Sequence, residues 1–414
     1  MQRQLDRLAA LSPGRDILGL ERITALLARI GNPERRLPPV FHVAGTNGKG
    51  SACAFLRAAI EAAGLQAHVY TSPHLVRFNE RIRVAGRLID DASLAGLLEE
   101  VLDASADLGA SFFEVTTAAA FLAFARAPAD ACVIEVGLGG RLDATNVIER
   151  PAICGIAALG IDHQAFLGES LAEIAGEKAG IARAGVPIAT LAYPEPAEPA
   201  VAAGIADRGG IRLEQGRDWS IAVEGDGLLY ADALGTLALP RPALVGAHQA
   251  LNAGLATAML RHQRAISVPD NAIAAGIASA HWPARLQRLE PGPLTGNLEV
   301  WLDGGHNVSA AEALAQALAG KSLHIIVGML ANKDAASFLH ILAPIATGVT
   351  AVPIPGHDHH GPRELAALAT TLGLPASAAP DVPAALTGID APVLITGSLY
   401  LAGQVLALNG ETPQ

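Results

Sequence analysis

Phe41-His42-Val43-Ala44-Gly45-Thr46-Asn47-Gly48-Lys49-Gly50-Ser51 is the stretch whose reading decides the fold. The apolar run from Pro39 to Val43 predicts a buried strand, and Ala52 to Ala63 predicts a helix. Between them lies a glycine-rich turn with one lysine and hydroxyl residues at both ends. Such a turn suits a phosphate, because glycines let the backbone curl with its N–H groups inward and the helix N-terminus adds positive potential. Lys49 would neutralise phosphate charge, and Ser51 is placed to ligate an accompanying Mg²⁺. In the common phosphate loop the hydroxyl residue directly follows the lysine, whereas here Gly50 intervenes. The rival reading is a glycine-rich strand-to-helix turn in an ordinary α/β protein. The agreement of strand, loop, lysine and helix favours the phosphate.

A chain of 414 residues exceeds one typical domain and predicts two or three. Hydrophobic residues make up 51% but aromatic ones only 4%, which predicts a large core packed tightly by small side chains. The formal charge of −11 disfavours a sequence-independent polyanion binder, so nucleic acid is not an expected partner. Cys53, Cys132 and Cys154 sit in apolar contexts without metal-type spacing and read as buried, reduced thiols. Met1-Gln2-Arg3-Gln4-Leu5-Asp6 lacks an apolar targeting core, and no apolar span is long enough to cross a bilayer. These features predict a soluble, cytoplasmic protein with no membrane partner, and monomer is the default oligomeric state.

Along the chain, residues 3–30 include a helical pattern with Leu20, Ile23, Leu26, Leu27 and Ile30 on one face. Strands are predicted at Gln66 to Thr71, Ala131 to Val136, Ala152 to Ala158 and Val186 to Leu191, the last closing the series. Helices are predicted at Ser93 to Asp107, Phe113 to Arg126 and Ser170 to Ala184. This alternation predicts an α/β fold with a doubly wound, mostly parallel sheet, whose ligands bind beyond the carboxyl ends of strands. Polar clusters at Ser72, Glu135 to Asn146 and His163 fall at such ends. Residues 211–240 alternate around Gly225-Asp226-Gly227 and read as an antiparallel meander added to the sheet. Helical patterns return at Ala247 to Gln263 and Pro269 to Ala280. Glu290-Pro291-Gly292-Pro293-Leu294-Thr295-Gly296 is the linker candidate. Beyond it, strands at Leu298 to Leu302, Leu323 to Val327, Gly348 to Val352 and Val393 to Thr396 predict a smaller Rossmann-like α/β domain. The expected division is 1–288, a linker at 289–296 and 297–414, with the active site in the cleft between domains.

Gly45-Thr46-Asn47-Gly48-Lys49-Gly50-Ser51, Thr71-Ser72-Pro73-His74-Leu75 and Glu135-Val136-Gly137-Leu138-Gly139-Gly140-Arg141-Leu142-Asp143-Ala144-Thr145-Asn146 occur in that order. Asp162-His163, Gly176-Glu177-Lys178-Ala179-Gly180-Ile181, His248-Gln249-Ala250-Leu251-Asn252-Ala253 and Asp303-Gly304-Gly305-His306-Asn307 follow. Together they resemble the folylpolyglutamate synthase and dihydrofolate synthase family, the folate branch of the Mur ligase superfamily, over about residues 18 to 400. The glycine after the lysine belongs to that family's pattern. Each motif alone is weak, and the ordered set is highly specific.

The resemblance implies amide ligation driven by ATP. A substrate carboxylate attacks the γ-phosphate to give an acyl phosphate, and an amino-acid amine displaces the phosphate. Bringing anions together requires lysine and a divalent cation, Mg²⁺ or Mn²⁺, for which oxygen ligands and an imidazole are suitable. By resemblance the loop Gly45 to Ser51 holds ATP together with Asn252 at adenine, Arg285 at the γ-phosphate and Asp303 at the ribose or phosphate side. Ser51, Ser72, Glu135 and His163 are the implied metal ligands. Lys178, carbamylated in the family, implies a second metal site, and a monovalent cation is compatible with the same pattern. The rival for Lys178 is a solvated helix lysine paired with Glu177 or Glu173. Lys49, Lys178, Arg285 and His306 are the expected catalytic residues. Phe113, Asp143 and Ala144 are expected at the pterin, and Arg77 on a charged loop that could cover the cleft; core packing and surface solvation are their rivals.

The sequence departs from the family pattern at Ala157-Ala158, which replaces a polar pair and leaves any contact made there in doubt. Ala284 stands where glycine usually precedes the arginine and Gly305 where alanine precedes the histidine, changes expected to keep the backbone geometry. Gly356-His357-Asp358-His359-His360 invites a metal reading, but a solvated loop is preferred. The expected substrates are dihydropteroate, reduced folates and L-glutamate, as in the bacterial bifunctional form. Alternatives are a folylpolyglutamate synthase alone, a Mur-type ligase acting on cell-wall nucleotide precursors, and a P-loop ATPase switch.

Overall fold

The computed structural model describes residues 1–11 and 18–413. The predicted N-terminal helix runs Glu21–Arg29 with Ile23, Leu26 and Leu27 buried. A separate helix, Gln2–Ala9, precedes it, and residues 12–17 lie outside the described residues.

The large sheet has eight strands: β1 (Val40–Ala44), β2 (Ala67–Tyr70), β3 (Ile82–Val84), β4 (Arg87–Leu88), β5 (Ala131–Glu135), β6 (Ile153–Ile156), β7 (Pro187–Thr190) and β8 (Ile211–Glu214). Their order is β4-β3-β2-β5-β1-β6-β7-β8. Only the β2–β3 and β3–β4 pairs are antiparallel. All five residues of β1 are buried, as expected for a central parallel strand covered on both faces. β1 pairs with β5 on one side and β6 on the other. From β1 the chain passes through the Lys49–Ala62 helix to β2 on one side, and from β5 it crosses to β6 on the other. The order reverses around β1, and a crevice for a ligand opens at the carboxyl ends of β1, β5 and β6.

Two expectations shift here. The parallel series does not close at β7: a helix, Ala197–Asp207, leads to β8, which pairs parallel with β7. The meander, β9 (Trp219–Glu224), β10 (Gly227–Asp232) and β11 (Gly235–Pro240), forms a three-stranded sheet of its own. It is pinned to the His248–His262 helix, because Arg261 from that helix pairs with the fully buried Asp232 side chain at 2.9 Å.

The second sheet comprises β12 (Gln287–Arg288), β13 (Val300–Leu302), β14 (Leu323–Val327), β15 (Ala346–Ala351), β16 (Ala376–Ala378) and β17 (Val393–Thr396), in the order β12-β13-β17-β14-β15-β16. All its pairings are parallel except β12–β13. The 289–296 stretch, expected to link the domains, therefore lies between the first two strands of this sheet. It is held there by Asn409, whose side chain bonds to the Glu290 carbonyl and to Thr295. Among the described residues no helix is long and apolar enough to cross a membrane.

Candidate active site

The turn after β1 is laced to the loop that follows β6. The N–H groups of Thr46 and Asn47 donate to the Ala158 carbonyl at 2.8 and 3.1 Å, and the Thr46 hydroxyl donates to the Gly160 carbonyl at 3.0 Å. Ala158 makes its contact through the backbone, which no side chain at that position needs to support. Gly45 and Gly48 have φ of +147° and +83°, conformations that favour glycine. A Cβ on Gly48 would collide with the amide of Asn252, and one on Gly50 would lie 2.6 Å from the Trp282 indole nitrogen. The extra glycine after the lysine is thus the floor on which Trp282 lies. Lys49 Nζ donates to the carbonyls of Gly45 and Thr46 at 3.0 and 3.2 Å, which holds its charge over the loop.

One cleft is lined by residues 46–51, Ser72, Glu135, His163, Asn252, Arg285, Asp303 and His306. Most of the expected nucleotide and metal residues therefore come together. Ser51 and Glu135 are buried, and the Ser72 N–H donates to a Glu135 oxygen at 3.3 Å. Burial pushes the Glu135 pKa up, while Lys49, the Ser72 N–H, Arg285 and Arg81 pull against it. Lys178 lies beneath the loop rather than in the cleft lining, and its Nζ donates to the Gly45 carbonyl at 3.0 Å. It is buried, and burial together with the charge of Lys49 lowers its pKa to about 7. Its rival partners are engaged elsewhere: Glu177 with Arg141 at 2.7 Å, and Glu173 with the Ser170 helix cap. Among the described residues no group of three or more His, Cys, Asp or Glu side chains converges to hold a metal. The available donors are scattered oxygens and one imidazole. They fit a hard cation that takes its remaining ligands from phosphate and water.

The opposite wall comes from the second sheet's lobe. Asp303 is buried and accepts from the N–H groups of Leu286 and Gly305 at 2.7 and 2.6 Å, which ties the Arg285 turn to the end of β13. That turn is strained. Ala284 and Leu286 have φ of +54° and +46°, each costing roughly 1 kcal/mol for a residue with a Cβ. The alanine at 284 keeps the glycine-like conformation, but not freely. His306 has an acceptor near each ring nitrogen, the Gly304 carbonyl at 2.9 Å and Asp162 at 3.4 Å. Asn307 and Asn47 exchange amide hydrogen bonds across the cleft at 3.0 and 3.2 Å.

Four expected substrate residues are not among those lining the cleft. The Phe113 ring packs on Gly137, itself a cleft residue. Asp143 is buried and accepts from Leu138 N–H, Thr145 N–H and the Thr145 hydroxyl, so its carboxylate shapes its own loop. Ala144 is buried beside it. Arg77 is exposed and pairs with Asp91 at 2.9 Å. The histidines after Gly356 form no metal group: His357 stacks on Tyr400 at 3.7 Å, and His360 Nε2 meets the Lys333 carbonyl at 2.9 Å.

Sequence reasoning missed Lys333, which reaches Asp162 across the cleft. A compositional signal pointed to it. The chain has only four lysines, at 49, 178, 321 and 333, and three of them gather around this site. A second cavity, with Arg57, Arg83, His281 and Trp282 in its lining, shares Ser72, Glu135 and Arg285 with the cleft.

No protein-family model matches the chain. The folylpolyglutamate synthase of Lacticaseibacillus casei is 35% identical over 403 residues, 93% of this chain and 92% of that protein. The fold superposes on an Escherichia coli FolC structure in complex with DHPP and ADP with a TM-score of 0.89 at 33% identity, covering 98% of this chain and 97% of the other. It also superposes on a bifunctional folylpolyglutamate synthase/dihydrofolate synthase with Mn, AMPPNP and L-glutamate bound, with a TM-score of 0.87 at 30% identity and coverage of 98% and 97%. On these grounds the chain belongs to the folylpolyglutamate synthase/dihydrofolate synthase family of ATP-dependent ligases.

Proposed function

We propose that this protein joins L-glutamate both to dihydropteroate and to reduced folates at one site. The observation that carries the reading is the joining of two spaces at Ser72, Glu135 and Arg285. One holds the phosphate loop, and the other is a smaller cavity lined by Arg57, Arg83 and Trp282. ATP would occupy the cleft, with its phosphates on residues 45–51 and its base near Asn252. The acyl substrate would occupy the second cavity, with its carboxylate at the junction. The carboxylate oxygen attacks the γ-phosphorus and ADP leaves. The glutamate amine then attacks the acyl carbon, loses a proton and expels phosphate. Lys49 and Arg285 would stabilise charge on the transferred group. Asp303 and His306 would set the wall from which glutamate approaches.

Mg²⁺ would be held by Ser51, Ser72, Glu135 and His163, where it supplies charge neutralisation to the phosphates. Lys178 would carry a carbamate for a second Mg²⁺; burial lowers its pKa to about 7, which leaves a large share of the amine neutral and able to add to CO₂. Growth in ¹³C-bicarbonate followed by NMR of the protein would reveal that carbamate, and an unlabelled Lys178 would refute it.

The deciding assay is phosphate release with dihydropteroate or tetrahydrofolate, each with and without glutamate. Release that requires glutamate with both acceptors is expected. Activity with tetrahydrofolate alone would reduce the protein to a folylpolyglutamate synthase, and release indifferent to acceptor and glutamate would make it an ATPase switch.

A further inference from the structure

Across the cleft, three groups of the second lobe converge on one carboxylate of the first. Asp162 receives the Lys333 ammonium, the Asn307 amide at 3.1 Å and His306 Nε2 at 3.4 Å. Both charged side chains are nearly sealed, Lys333 at 9% exposure and Asp162 at 8%. Neither stands on a loose segment. Lys333 lies in the loop after β14; its N–H donates to the Leu330 carbonyl at 3.0 Å, and its own carbonyl meets His360 Nε2 at 2.9 Å. Asp162 lies in the loop after β6 that the Thr46 hydroxyl ties to the phosphate loop at Gly160. The ion pair therefore couples the carboxyl end of one sheet to that of the other. It also fixes the carboxylate that His306 faces.

We propose that Lys333 is a positioning residue for the ligation: docked on Asp162, it holds the lobes closed and sets His306 and Asn307 against the phosphate loop. Closed, each charge is neutralised by the other; apart, both regain water, so the intact pair permits closure at little net cost. Loss of the lysine alone leaves a desolvated, unpaired carboxylate in the closed state only, which favours opening. Among the described residues, the other groups of the second lobe that bond to Asp162 are the Asn307 amide and the His306 ring. Among the described residues Lys333 makes no hydrogen bond or ion pair to residues 45–51 or to Asn252, so nucleotide affinity is separable from its effect.

This inference rests on the ligase reading, and the test separates the two. Glutamate-dependent ADP formation, ATP binding by equilibrium titration, and the radius of gyration of the nucleotide-bound protein are measured for wild type, Lys333→Met and Lys333→Arg. Lys333→Met is expected to lower kcat/KM for glutamate about tenfold or more, the scale of a coupling between lobes. ATP affinity should stay unchanged and the radius of gyration should rise. Lys333→Arg, which keeps the charge, should recover most of the loss, a rescue that a purely structural role for the loop would not give. Wild-type kcat/KM in Lys333→Met, or an arginine variant as impaired as the methionine one, would overturn the positioning role. Wild-type protein that forms no ADP on adding glutamate would instead overturn the ligase reading.

Discussion

Lys49 donates to two carbonyls of its own loop, and that of Gly45 keeps Lys178 Nζ as a donor when the side chain is removed. Lys49→Ala should therefore cost only about 1 kcal/mol of stability while removing a charge-assisted contact to the phosphates. Ligation should fall about 10²–10³-fold at a nearly unchanged melting temperature. Near-normal turnover would refute the assigned role. His42 makes a different kind of prediction. It is buried within β1, its Nε2 donates to the Thr145 hydroxyl at 2.8 Å, and that hydroxyl donates to Asp143 at 2.5 Å. Burial, aided by the charge of Arg183, lowers its pKa from 6.5 to about 3. The unfolded chain thus binds a proton that the native state refuses, and stability falls as pH drops from about 6.5 toward about 3. By pH 5 the loss from this group is roughly 2 kcal/mol. Denaturant titrations should show a shallower decline over that range for His42→Gln, and parallel curves for the two proteins would count against it. That Lys49, Ser51 and Glu135 would meet at one cleft was legible, because ligands in a doubly wound sheet bind beyond the carboxyl ends of its strands. His42 was not, since a histidine in an apolar run has no spacing that reveals its partner 103 positions away.

The phosphate loop is only as well placed as the Lys49–Ala62 helix that begins within it. That helix is covered by the Asp270–Ser279 helix, and the two touch at Gly276, where a Cβ would collide with the backbone of Ala59. Contact this close explains how small residues can fill the core between them. Gly276→Val should push the helices apart at a cost of at least about 1–3 kcal/mol. It should also weaken nucleotide binding, because the displaced helix carries Lys49 and Ser51 at its start. A calorimetric melt paired with an ADP titration checks both effects. A variant that melts early but binds ADP normally would show that the loop does not depend on this packing. Element types were mostly legible from periodicity. The Ala197–Asp207 helix has Pro194 and Pro196 just before it and Pro199 inside it, residues that obscure a helical pattern. Pro199 lies in the first helical turn, where its missing N–H would have had no partner anyway. With that helix unseen, β8 was absorbed into the meander that follows it.

At the scale of the whole molecule, two α/β lobes and a cleft follow from the repeated alternation of strands and helices. The way the lobes meet does not, because contacts between them join residues with no pattern in common. Asn47 with Asn307, and Asp162 with Lys333, are separated by 260 and 171 positions. A third contact lies at the second cavity, which Leu75 lines. Leu75 and Val76 of the first lobe pack on the hydrophobic cluster of the second, and the carbonyl of Leu75 sits where a Cβ on Gly403 would be. Gly403 is in the middle of the Leu399–Asn409 helix, where glycine costs about 1 kcal/mol relative to alanine, so close approach is the evident reason for it. Gly403→Val would place a wedge between lobes whose own cores it does not enter from the cleft side. Each lobe should keep its fold and the first lobe its affinity for ADP, while the lobes separate at Leu75. Ligation should then fall with a raised KM for glutamate, and scattering from the nucleotide-bound protein should report a larger radius of gyration. Full activity at an unchanged radius would mean that the lobes close without this contact.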